Sequence, residues 1–176
     1  VLKPGLTFFP GYFDRTAQER LRDEIRSVLR IAPLFAPKMP GTGKPFSVRM
    51  TNCGPLGWVS DKEGYRYQPH HPVTDKPWPP IPEQALDVWK ECGGFEALPE
   101  ACLVNFYAPG ARMGLHQDKD EEEFAAPIVS VSLGDDGLFR YGGLDRKDPT
   151  RSIRLKSGDV IAFGGESRLV FHGVDK

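Results

Sequence analysis

Apolar residues recur at helical spacing near the start of the chain. Leu21, Ile25, Val28 and Leu29 share one face, while Arg20, Arg22, Asp23, Glu24 and Arg26 fill the others. Thr16 followed by Glu19 is a capping-box pattern with Asp14 just ahead of it, so one amphipathic helix is predicted between Thr16 and Pro33. A second, shorter helix is predicted to open at Pro82, carry Leu86 and Trp89 inward and stop at Gly93. Between them lies a Pro- and Gly-rich stretch containing at least one strand, Ser47–Cys53.

After Gly94 the texture changes to short β-type runs: Cys102–Tyr107, Arg112–His116, Pro127–Leu133, Leu138–Tyr141, Ile153–Leu155, Val160–Phe163 and Arg168–His172. Turn residues separate them, such as Pro109-Gly110, Gly142-Gly143 and Ser157-Gly158-Asp159. Many short strands at regular spacing with Gly-rich turns predict a sandwich or jelly-roll, not an alternating βα fold.

With 176 residues, 39% hydrophobic and 27% charged, the chain can bury one real core without disulfides or a structural metal. A single domain is expected, divided into an N-terminal region over 1–95 and a β-rich jelly-roll core over 96–176. No apolar run approaches the roughly 20 residues that span a bilayer. The net charge of −1, from 23 basic and 24 acidic residues, argues against blanket neutralisation of phosphates; if a nucleic acid is the partner, local basic patches must bind it. Cys53, Cys92 and Cys102 are odd in number and lack a C-x-x-C spacing, which points to a reducing compartment. Val1 is not an initiator Met and no signal-type segment opens the sequence, so a trimmed chain is expected rather than a secreted precursor.

The candidate chemistry lies in His116-Gln117-Asp118, an H-x-D element, with His172 far along the chain at a strand end. Residues i and i+2 of an extended segment point to the same side, so an imidazole and a carboxylate can grip one ion. A third imidazole from a neighbouring strand completes a two-His, one-carboxylate triad with coordination positions left open, the arrangement of non-haem Fe(II) oxygenases. Zn²⁺ with the same ligands and a water is the chemical competitor, and spacing does not separate the two metals.

The wider sequence resembles the AlkB family of Fe(II)- and 2-oxoglutarate-dependent nucleic-acid dealkylases. The likeness runs from "SVRMTNCGPLGW" through "CLVNFYAPGARMGLHQDKDEEEFAAPIVSVSLG" and "RYGGLDRKDP" to "GDVIAFGGESRLVFHG". It implies a double-stranded β-helix (jelly-roll) with flanking helices and an N-terminal nucleotide-recognition flap. It also implies Fe(II), 2-oxoglutarate and O₂, with His116, Asp118 and His172 as iron ligands. Asn105, Phe106 and Tyr107 become the 2-oxoglutarate segment, Asn105 and Tyr107 being expected to face the barrel interior. Trp58, Tyr65, Arg66 and Tyr67, from "GWVSDKEGYRYQP", become the base-gripping segment, with Asp120 and Arg146 as further substrate contacts.

The residue types suit that role independently. A base methylated at N1 of adenine or N3 of cytosine is cationic, and aromatic faces attract cations by about 0.5–2 kcal/mol. The base must also leave its stack to reach a metal, and stacking on aromatic rings offsets part of that cost. The function implied is oxidative demethylation of such bases in DNA and also RNA, releasing formaldehyde, succinate and CO₂, by a monomer in the bacterial cytoplasm. The alternatives are the same chemistry on tRNA, protein or a small molecule, and an inert jelly-roll binding module. The family continues past the position of Lys176 into a strand bearing two arginines, one of which anchors 2-oxoglutarate, so a longer native chain is expected.

Overall fold

A computed structural model describes residues 1–175, and position 176 lies outside them. In chain order the elements are β1 (Leu6–Phe9), α1 (Arg15–Ile31), β2 (Arg49–Cys53), β3 (Gly57–Asp61), β4 (Gly64–Gln68), α2 (Glu83–Val88), β5 (Cys102–Phe106), β6 (Met113–His116), β7 (Ile128–Val131), β8 (Gly137–Tyr141), β9 (Arg151–Leu155), β10 (Val160–Phe163) and β11 (His172–Asp175). A π-helical turn, Trp89–Gly93, extends α2, and a 3-10 turn, Gly165–Ser167, precedes β11. The described chain forms two compact units. One comprises residues 1–20, 87–96 and 112 onward; the other comprises 21–86 and 97–111.

The first unit is the jelly-roll sandwich. Its two sheets have strand orders β1-β10-β7 and β6-β11-β8-β9, and every pairing is antiparallel. They share one core, in which Leu6, Ile161 and Phe163 of the first sheet pack with Phe139, Tyr141 and Leu155 of the second. β10 reads Val-Ile-Ala-Phe with all four residues buried, as expected of a central strand covered on both faces. The expected strand over Arg168–His172 is displaced. Consecutive bonds from Ser167 N to Gly164 O, Arg168 N to Gly165 O and Val170 N to Ser167 O curl this segment, and pairing begins only at His172.

The second unit holds the β2–β5 pair and the β3–β4 hairpin. In the hairpin Asp61 faces Gly64, which leaves Lys62 and Glu63 as the turn. Gly57 is required here, because a Cβ would lie 2.2 Å from the Trp78 ring. α1 forms where periodicity predicts it, with Leu21 and Val28 buried. Its cap is Asp14 rather than Thr16: the Asp14 carboxylate accepts the Ala17 N–H at 2.8 Å, which places Thr16 inside the helix. In α2 the buried residue is Val88, while Leu86 and Trp89 are only half-buried.

Candidate metal centre and substrate-recognition residues

His116 ends β6 and His172 begins β11, and the two are direct partners in the antiparallel register. That pairing joins residues remote in sequence, with ring centroids 4.5 Å apart. A register shift follows, since Val174 pairs with Met113. Such bulges re-aim side chains beside functional sites. Asp118 lies beyond β6 in irregular backbone. Its Oδ1 stands 3.5 Å from His116 Nε2 and its Oδ2 stands 3.3 Å from His172 Nε2. One ligand atom from each of the three residues falls within 4.8 Å of the other two.

Each imidazole is oriented from behind. His116 Nδ1 lies 2.8 Å from the Gly114 carbonyl, and His172 Nδ1 lies 3.0 Å from the Val170 carbonyl. A carbonyl only accepts, so Nδ1 carries the hydrogen and the neutral ring presents its lone pair at Nε2, where a metal binds. His172 is buried against the Phe139 and Phe163 rings, with the Phe163 centroid 4.8 Å away.

Burial pushes the His116 imidazole down, but its hydrogen bond to Asp118 and the charge there outweigh burial and hold it above the ordinary value. Burial likewise pushes the Asp118 carboxyl up. The two imidazoles pull harder the other way and hold it well below the usual carboxylate range. The result is a carboxylate kept ionised between two nitrogens, a donor set of two imidazoles and one oxygen. Donors bonded at about 2.1 Å and at right angles around one ion stand about 3 Å apart, close to the contacts here. The residues present therefore fit a divalent metal, and the O,N,N set suits iron.

Of the other expected site residues in this unit, Asp120 is exposed two positions past Asp118. Arg146 donates from Nη1 to the carbonyl of Leu115, next to His116, at 2.9 Å, and its guanidinium lies over the Phe171 ring. Motif reading passed over Arg168 and Gln117. Gln117 Nε2 donates to Leu169 O at 2.7 Å, and Arg168 Nη1 donates to Asp118 O at 2.7 Å. The available signal was a single Arg set in an otherwise apolar run just before His172.

The remaining residues stand on the second unit. β5 pairs with β2, Asn105, Phe106 and Tyr107 are exposed in this unit, and the Arg49 guanidinium sits 5.0 Å over the Phe106 ring. In the hairpin, Trp58 is opposite Tyr67 and stacks on Tyr65 with centroids 5.5 Å apart and planes 20° from parallel. Asn52, fully buried, fixes Trp58 through two bonds of 3.0 Å, accepting from its N–H and donating to its carbonyl. Arg66 forms a bidentate pair with Asp61 at 2.8 and 2.9 Å and also bonds Gln68, so it braces the hairpin.

Comparison with known proteins accords with this donor set. Residues 5–176 match the model of the 2OG-Fe(II) oxygenase superfamily. The alpha-ketoglutarate-dependent dioxygenase AlkB homolog of Caulobacter vibrioides is 51% identical over 98% of this chain and 78% of its own. The alpha-ketoglutarate-dependent dioxygenase AlkB of Escherichia coli is 46% identical over 92% of this chain and 76% of its own. The solved structure of OsALKBH1 superposes with a TM-score of 0.84 at 30% identity, covering 100% of this chain and 86% of that one. The chain belongs to the AlkB family within the 2OG-Fe(II) oxygenase superfamily, whose members use Fe(II), 2-oxoglutarate and O₂.

Proposed function

We propose that this dioxygenase removes N-alkyl groups from damaged bases in DNA and also accepts RNA. The observation that carries the reading is the pairing of His116 with His172 beside an ionised Asp118. In this reading His116, Asp118 and His172 hold Fe(II), and Asn105 and Tyr107, with Phe106 between them, hold 2-oxoglutarate. Bound iron, with 2-oxoglutarate and O₂, supplies the oxidation of the N-methyl group, and the co-products are succinate and CO₂.

The chain's own groups do the rest. The Gly114 and Val170 carbonyls hold the Nδ1 hydrogens, so Nε2 is the nitrogen each ring offers to the metal. The Trp58–Tyr65 stack, with Tyr67 and Arg66 on the same hairpin, offers faces to a cationic base taken out of its stack, where each base–ring contact is worth about 1–3 kcal/mol. The Asp120 carboxylate favours that positive base, and Arg146 serves as a further contact to the nucleic acid. Once hydroxylated, the methyl group would depart as formaldehyde: the hydroxyl proton is lost, the N–C electron pair returns to the ring nitrogen and the base becomes neutral, which removes the cation–π attraction and favours product release.

The test supplies the purified protein with Fe(II) and 2-oxoglutarate and offers single-stranded DNA carrying 1-methyladenine beside RNA of the same sequence. Formaldehyde and unmodified adenine formed in step with succinate are expected on DNA. Succinate formation that neither oligonucleotide stimulates would place the substrate outside nucleic acid.

A further inference from the structure

We propose that Arg168 is a positioning residue for the metal centre, its buried guanidinium stapling the loop that carries Asp118. Arg168 is only 3% exposed, and a guanidinium so placed is unfavourable unless its donors are used. Here two of its nitrogens are used in hydrogen bonds to one segment, and the third faces a carboxylate there as an ion pair. Nη1 donates to Asp118 O at 2.7 Å, Nε donates to Ala126 O at 2.8 Å, and Nη2 lies 3.3 Å from Glu121 Oε2. The Phe124 ring covers the same guanidinium at 5.4 Å. One planar group thus holds both ends of the 118–126 segment and two points between them.

That segment lacks strand pairing and helix, so side chains rather than a backbone ladder must fix its path. Gln117 bonds back to Leu169 O, so residues 117–118 and 168–169 are tied by two side chains running in opposite directions. The first pair ends at the ligand Asp118, and the second leads into His172. The hydrogen bond from Arg168 reaches the Asp118 carbonyl rather than its carboxylate. It acts on the Asp118 backbone, from which the carboxylate must reach both Nε2 atoms. A lysine keeps the charge but not the planar fork that serves divergent carbonyls.

The inference rests on reading His116, Asp118 and His172 as the ligand set. The full chain, prepared metal-free, is titrated with Mn(II) as a redox-silent probe in three forms: wild type, Arg168→Lys and Glu121→Gln. Outer-sphere partners of metal ligands typically contribute about 10–100-fold in affinity. A loss of that size is expected for Arg168→Lys and a several-fold loss for Glu121→Gln.

Amide hydrogen exchange across 118–126 quickens in both metal-free variants, while β10 keeps its protection. The apparent activation constant for Fe(II) rises in Arg168→Lys, and its KM for 2-oxoglutarate is unchanged. A folded Arg168→Lys with wild-type Mn(II) affinity and wild-type exchange overturns the proposal. If Arg168→Lys loses β10 protection, Glu121→Gln decides by the same two readings. A wild type that fails to bind Mn(II) brings down the ligand assignment and this inference together; unaltered variants beside a binding wild type bring down this inference alone.

Discussion

Gly173 passes so close to Met113 that a Cβ on it would lie 2.6 Å from the Met113 carbonyl oxygen. This contact sits one residue from His172, at the register shift between β6 and β11. The obstacle is backbone rather than a flexible side-chain end, so an added methyl group must separate the strands that join the two imidazoles. Gly173→Ala is expected to lose metal binding at least 10-fold while the β1-β10-β7 sheet keeps its hydrogen-exchange protection. Mn(II) titration together with exchange measurements checks both parts.

Asp118 supplies the only negative charge among the three candidate ligands. Asp118→Asn keeps the shape and removes the anion, and turnover is expected to fall to background, with succinate formation as the readout. Metal removal by a chelator should lower the melting temperature of the wild type, because a ligand held at 100 times its Kd stabilises by about 2.7 kcal/mol. The same treatment should leave Asp118→Asn unchanged.

The pH dependence of the metal-free protein follows from the same contacts. His116 titrates above its unfolded value of 6.5, so its contribution is full below that value and fades as pH rises through the folded pKa. Asp118 titrates below its unfolded value of 3.8, so its contribution is present above that value and is lost as pH falls toward the folded pKa. Both are present together between roughly pH 4 and 6.5. Denaturant unfolding of metal-free wild type is expected to show a stability excess over Asp118→Asn that is greatest in that window. Bound metal replaces the His116 proton, so Mn(II) affinity should weaken as pH falls through this raised pKa.

Asn52 links a buried strand to the recognition hairpin. Asn52→Leu leaves the Trp58 N–H and carbonyl without their partner, at about 1–3 kcal/mol for each buried group left unsatisfied. The expected result is a loss of a few kcal/mol in urea unfolding and weaker binding of methylated single-stranded DNA. Trp58→Ala is expected to weaken that binding by about 5- to 100-fold, the scale of one base–ring stack, with unchanged Mn(II) affinity.

At the N-terminus of α1, Asp14→Ala removes the observed cap and should cost about 1 kcal/mol in urea unfolding, whereas Thr16→Ala should cost less.

The legible parts of the sequence were those with a period or a specific string. α1 carries a strong apolar stripe, and β7, β8 and β10 are short β-rich runs between turn residues. His116, Asp118 and His172 could be named because their chemistry is uncommon, although the register that unites them is invisible in one dimension. Other features were hidden for physical reasons. β1 is a four-residue segment, Leu-Thr-Phe-Phe, too short to show a sustained alternation, and its pairing depends on β10, far along the chain. The β3–β4 hairpin turns on Lys62-Glu63, which lacks the usual Asn-Gly or Asp-Gly signal. Leu169, Val170 and Phe171 have strand composition but are curled by the 3-10 turn and by the burial of Arg168. That β5 pairs with β2 is a tertiary choice that two-residue periodicity does not encode.

Each candidate ligand histidine takes its Nδ1 partner from the carbonyl two residues earlier in its own segment. The choice of tautomer is therefore written into three consecutive residues at each position and does not depend on a distant acidic group. Substitutions elsewhere in the sandwich can shift the rings or loosen the ion, yet the nitrogen offered to it stays the same. Coordination chemistry can thus persist while the surrounding pocket diverges toward new substrates.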